Sequence, residues 1–235
     1  IGLAVLLLIG YNWAALPRVV KLVLIFGSIL GAHTTGFLLR YRRKTGLTSE
    51  IPFFLGCFLY GAGIWLVAQI FHLNAHYPDG MWWWAVGVLP FALYMNTVLL
   101  HVLFVGLLGL WASMEVLHFH HLGLWFFGRW SSLPNGAYSL PLLALPGFIW
   151  AYRKPSLAAV SLYVPLLAGW VLIQPLAWEF ETIPIFLIGT VGALFLLVSE
   201  SHPTGSAFAI PYREYGVLLS AGALAPLSYY DAHTE

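Results

Sequence analysis

Long apolar runs alternate with short polar gaps along almost the whole chain, and the run lengths predict nine membrane segments. The first covers Ile1 to about Gly10 and closes on Tyr11, Asn12 and Trp13. It is too short to cross alone, since a span takes about 20 residues. It also lacks the basic lead and small-residue cleavage site of a signal peptide. It is read as the end of a span, so the chain is expected to be a fragment without its natural N-terminus. The second segment runs from Val19 to Leu39, with His33 near its middle, and ends on RYRRK, Arg40 to Lys44. The third covers Ile51–Phe71; the fourth starts at Trp82, Trp83 and Trp84 and reaches Met95. A tight turn at Asn96 and Thr97 leads to the fifth, Val98 to Met114.

A longer connection follows, Glu115 to Ala137. Its first part is too aromatic for a solvated loop, and Leu117–Trp130 is predicted to be an interfacial helix lying on the bilayer surface. SSLPNG then marks a turn. The sixth segment is Tyr138–Tyr152, the seventh Ser156–Leu176, the eighth Pro184–Ser199 and the ninth Tyr215–Tyr230. The expected fold is all-α: a polytopic integral membrane bundle of about nine segments plus one interfacial helix, with residues 1–235 forming a single transmembrane domain.

Composition sharpens this. The chain is 60% hydrophobic and 8% charged, where soluble domains carry about 25% charged residues. So few charges cannot cover a water-facing surface, and the expected partner is the lipid bilayer. A formal net charge of +1 gives no reason to expect nucleic acid. The single cysteine, Cys57, excludes an intrachain disulfide.

Positive charge in short loops sets orientation. With RYRRK placed in the cytoplasm and the chain alternating, Arg40, Arg42, Arg43, Lys44, Arg153, Lys154 and Arg213 all fall inside, leaving Arg18, Lys21 and Arg129 as exceptions. The histidine-rich loops, His72–Gly80 and Glu115–Ala137, then face outward. Trp13, Trp82, Trp83, Trp84, Trp125, Trp130 and Trp178 gather near that outer boundary, as an aromatic belt does.

Candidate chemistry is concentrated at the same face. Gln69 and His72 are three apart and share a helix face. His76 and Asp79 follow in the loop, and Trp84 offers a stacking surface. These five residues form a candidate ligand site. Imidazoles with a carboxylate are also metal ligands, and His72, His76, Glu115, His118, His120 and His121 form the candidate metal set. HFHH lacks the spacing of a known zinc motif, and a structural outer rim accounts for the same residues. Two histidines, His33 and His101, lie at depth and are the candidate haem ligands; the competing reading is a neutral imidazole donating to a neighbouring helix carbonyl. No Asp or Glu falls in the middle of a predicted span, which weighs against a carboxylate proton relay. P-loop, GxGxxG, GxSxG and CxxC patterns are absent. The sequence names no catalytic residue and no cofactor, and leans away from an enzyme.

One stretch resembles a known family. IGLAVLLLIGYNWAALP, a basic hinge, and then GAGIWLVAQIFHLNAHYPDGMWWWAVGVLPFAL resemble the bacterial predicted membrane proteins of domain of unknown function 2157. Asn12, Trp13, Gly61, Gly63, Gln69, Ile70, Phe71, His72, Leu73 and Trp84 carry the resemblance, which covers roughly Ile1 to Leu100. It implies an inner-membrane, multi-pass architecture and no mechanism. Two functions are weighed: a membrane protein that handles a small molecule or ion at an outward polar site, and a non-catalytic accessory subunit packed against other membrane proteins. A haem- or metal-binding protein is the third.

Overall fold

The computed structural model describes residues 15–42, 46–73, 77–95, 97–117, 136–178 and 180–231. Among these the chain is all-helical, with eight helices. They are α1 (Arg18–Tyr41), α2 (Gly46–Phe71), α3 (Tyr77–Met95), α4 (Val98–Leu117), α5 (Ser139–Arg153), α6 (Leu157–Ala177), α7 (Ile185–Ser201) and α8 (Ala209–Asp231). Among the described residues, four stretches are long and apolar enough to cross a membrane: Arg18–Tyr41, Thr48–Phe71, Val98–Val116 and Leu157–Ala177. α7 is apolar but shorter. α5, with 15 residues, spans about 22 Å against a hydrocarbon core of about 30 Å. The count of nine crossings is therefore not reached among the described residues. The first predicted segment and the interfacial helix lie outside them.

Three predicted helix starts move upstream; the ninth segment was expected from Tyr215, whereas α8 begins at Ala209. The third segment was expected from Ile51, whereas α2 begins at Gly46 and buries Ser49 completely. The fourth was expected from Trp82, whereas α3 begins at Tyr77. Pro78 has its φ preset for a first helical turn, and the Asp79 carboxylate suits the positive end of the helix. Asp79 is therefore helical and not a loop residue.

The chain forms two compact units, Ile1–His76 and Tyr77–Glu235. In the first, α1 and α2 pair as a hairpin. α1 starts after Pro17, whose carbonyl accepts from the Lys21 N–H at 3.1 Å. Only Ile25 and Gly36 of α1 are buried, while Val19, Val23, Phe26, Leu30 and Phe37 are exposed. Such an apolar face suits lipid. Glycines let the two helices close: a Cβ at Gly63 would meet Ile25 at 3.0 Å, and one at Gly36 would meet Phe53 at 2.8 Å. Gly56 sits between those layers, under the His33 ring. Large side chains thus seat on glycines in successive layers, the usual way membrane helices approach without a hydrophobic driving force.

The second unit is built on α4. Its inward face, Leu100, His101, Phe104, Leu108 and Ala112, recurs at helical spacing and is almost fully buried. α4 packs on α3, α5 and α6; α6 also packs on α5, α7 and α8. α7 and α8 form a close hairpin in which a Cβ at Gly192 would stand 2.8 Å from the Ser220 backbone nitrogen.

Candidate functional site

The end of α2 carries one of the two left-handed non-glycine residues among the described residues, the other being Ala137 at φ 52°. His72 has φ 51°, in the left-handed region. The Leu73 N–H donates to the Ala68 carbonyl at 2.9 Å, and the His72 N–H reaches the Gln69 carbonyl at 3.4 Å. This pairing is a Schellman cap. Glycine is the usual occupant of the left-handed position, because any Cβ there costs about 1 kcal/mol. Here a histidine holds it, with its side chain exposed beside an exposed Gln69. The cap ends α2 abruptly and turns the His72 imidazole out of the helix.

The remaining ligand-site residues divide. Asp79 is exposed in the first turn of α3, Trp84 is half-buried, and both belong to the second unit. His76, His118, His120 and His121 lie outside the described residues. Glu115 lies in the last turn of α4 and is buried, at 5% exposure. Among the described residues no group of three or more His, Cys, Asp or Glu gathers as a metal site would.

The two depth histidines have separate surroundings in separate units. His33 donates from Nδ1 to the Ile29 carbonyl at 2.9 Å, and its ring meets Phe53 edge-on at 6.1 Å. That carbonyl belongs to the helix of His33 itself, whereas the competing reading had it donate to a neighbouring one. His101 is fully buried; its Nδ1 hydrogen-bonds with the Tyr163 hydroxyl at 2.9 Å, again edge-on, at 5.7 Å between ring centroids. The Tyr163 hydroxyl in turn lies against Gly147.

Tryptophan indoles do more than line an interface. Trp82 donates to the Ser139 hydroxyl at 3.0 Å. Trp170 donates to the carbonyls of Gly136 at 2.9 Å and Ala137 at 3.1 Å. The Gln174 amide also donates to Gly136, at 3.0 Å, and Trp178 donates to the Tyr138 hydroxyl at 3.0 Å. These bonds tie α3 and α6 to the strap 136–139 that opens α5. Trp83 is 55% exposed. The partner of Trp82 was not foreseeable, because Ser139 lies 57 residues away.

A second group escaped sequence reasoning. The Tyr152 and Tyr212 hydroxyls are 2.7 Å apart. The His202 ring lies against both, with centroids 6.3 Å from Tyr152 and 5.3 Å from Tyr212, and Phe208 covers Tyr152 at 5.1 Å. His202 is fixed by donation from Nδ1 to the Val198 carbonyl at 2.8 Å. The only hint was a histidine and aromatics between the eighth and ninth predicted segments. Beside it, the Lys154 ammonium stands 4.7 Å from the Trp150 ring centroid.

Residues 1–101 match the family model described as Predicted membrane protein (DUF2157), which bears out the resemblance carried by Asn12, Trp13 and the Gln69–His72 motif. No curated protein and no solved structure matches the chain.

Proposed function

We propose that this bilayer protein handles a small molecule or ion at the outward end of α2, with Gln69 and His72 as the recognising pair. His76, and Asp79 and Trp84 of the second unit, are the further candidates that the sequence offers. The observation that carries the reading is the backbone at His72. A left-handed histidine keeps a conformational cost that glycine would remove. Such strain is commonly kept at functional sites. The same reading places the protein in a bacterial inner membrane, with RYRRK in the cytoplasm and the α2 end outside.

The test separates stability from binding. His72→Gly is expected to leave the thermal midpoint unchanged or raise it, by up to about 1 kcal/mol of stability. Calorimetric titration with zinc is expected to give binding in the reference chain and at least a tenfold loss in His72→Gly, about 1.4 kcal/mol. Zinc binding that is absent, or unaffected by the substitution, removes the ion reading. A lower midpoint would show that the imidazole serves structure.

The accessory-subunit reading draws on α1, which buries only Ile25 and Gly36 within its unit. Lipid or a neighbouring helix can cover the rest. Purification from the native membrane in mild detergent decides between them: a second subunit at fixed ratio supports the accessory role, and a chain that purifies alone opposes it.

A further inference from the structure

The fully buried His101 has one ring nitrogen engaged, with Tyr163, while its Nε2 has no hydrogen-bond partner among the described residues. Thr97 Oγ1 is likewise buried and without a partner among them. The two residues stand one turn apart on the same face, and the turn is closed by the His101 N–H donating to the Thr97 carbonyl at 3.2 Å. Residues spaced this way bring their Cβ atoms to about 5–6 Å. Neither atom bonds directly to the other, and one oxygen making two bonds of about 2.8 Å can serve polar groups held one turn apart. The other side chains of the buried α4 face beside them, Leu100 and Phe104, are apolar and offer neither donor nor acceptor. A neutral imidazole bound at Nδ1 still has one donor or one lone pair at Nε2. A buried group of that kind is ordinarily satisfied by protein or by an ordered oxygen.

We propose that Thr97 and His101 hold one buried O–H group, bridging Thr97 Oγ1 and His101 Nε2. Its source is either a water molecule or the hydroxyl of a small solute. The site is internal to the second unit. It extends the Tyr163–His101 hydrogen bond by one link to Thr97. It asks nothing of a metal or a charge.

Nuclear magnetic resonance of the full chain in lipid nanodiscs, labelled with ¹⁵N-histidine, tests this. The His101 signals are assigned by their loss in His101→Gln. In the reference chain, Nε2 is expected to correlate with an exchangeable O–H proton. A correlation to water alone identifies water; added correlations to carbon-bound protons of a non-protein molecule identify a solute. The isosteric Thr97→Val is expected to abolish the correlation, whereas Thr97→Ser, which retains the hydroxyl, keeps it. Nε2 correlations to protein protons only overturn the proposal, as does a correlation that survives in Thr97→Val. If Thr97→Val fails to fold, loss of the correlation in a folded Thr97→Ser overturns it instead.

Discussion

Replacing Gly147 by alanine is expected to destabilise the second unit by about 2–4 kcal/mol, although alanine is the better helix former. The gain in propensity is about 1 kcal/mol. Against it stands Tyr163, whose hydroxyl lies on the Gly147 Cα and whose Cζ would be 2.6 Å from the new methyl. The tyrosine cannot retreat by rotating a flexible tip. Its ring is fully buried, edge-on to His101 and packed near Phe104 and Phe148 at centroid distances of 6.3 Å each. It must move as a rigid plate, and overpacking of that kind costs about 1–3 kcal/mol. The move also breaks the 2.9 Å bond to His101, and leaving a buried donor or acceptor unmatched costs about 1–3 kcal/mol more. Denaturant titration of the purified chain, followed by circular dichroism, measures the sum. Tyr163→Phe removes the hydroxyl oxygen, so Gly147→Ala should cost less in that background than alone. Gly169→Ala, on α6, is the control: no atom lies within 4 Å of its would-be Cβ, and it should be neutral or mildly stabilising. A Gly147→Ala chain as stable as the Gly169→Ala chain would mean that Tyr163 does not pack there.

The contrast between Gly147 and Gly169 shows where sequence reading stops. Both are glycines in apolar helices, and hydropathy treats them alike. α4 and α6 are apolar nearly all round, so no amphipathic stripe marks which face meets protein and which meets lipid. Segment positions were legible because hydrocarbon thickness and the cost of burying charge write run lengths directly into the chain. The family match over residues 1–101 was legible for the same reason: its motif sits at segment ends, where polar residues stand out. Helix starts were less so. Tyr77–Pro78–Asp79 is a helix opening on inspection, yet its polarity suggested a loop. Residue pairings were not legible at all. Trp82 with Ser139 and Tyr152 with Tyr212 are long-range choices that no local pattern encodes. At the α2 end, the motif residues were visible, but the left-handed backbone of His72 was not, because the usual sign of that conformation is a glycine.

The largest effect in the first unit is expected from Gly56→Val, which should separate α1 from α2 and cost about 3 kcal/mol or more. The hairpin closes on three glycine contacts, and Gly56 is the middle one. The imidazole of His33 lies directly on it, with Nε2 3.0 Å from a would-be Cβ and Cε1 and Nδ1 nearer. That ring is not free to swing aside, since Nδ1 is committed to the Ile29 carbonyl at 2.9 Å and Phe53 stands edge-on at 6.1 Å. Valine adds three carbons where one does not fit, and no water-driven force pulls membrane helices back together once close packing fails. The adjustment must therefore come from the helix axes. Spin labels at Leu30 and Leu55, both exposed, report this without disturbing the contact. Cys57 is replaced by alanine first so that no other thiol reacts. Double electron–electron resonance should give one narrow distance in that reference and a longer, broader distribution in Gly56→Val. Adding His33→Ala removes the ring and should restore much of the narrow distance. Gly31→Val, on α1 with no atom within 4 Å of its would-be Cβ, should leave the distance unchanged. A narrow, unshifted distance in Gly56→Val would show that the His33 ring does not seat on Gly56, and with it the register of the whole hairpin would fall.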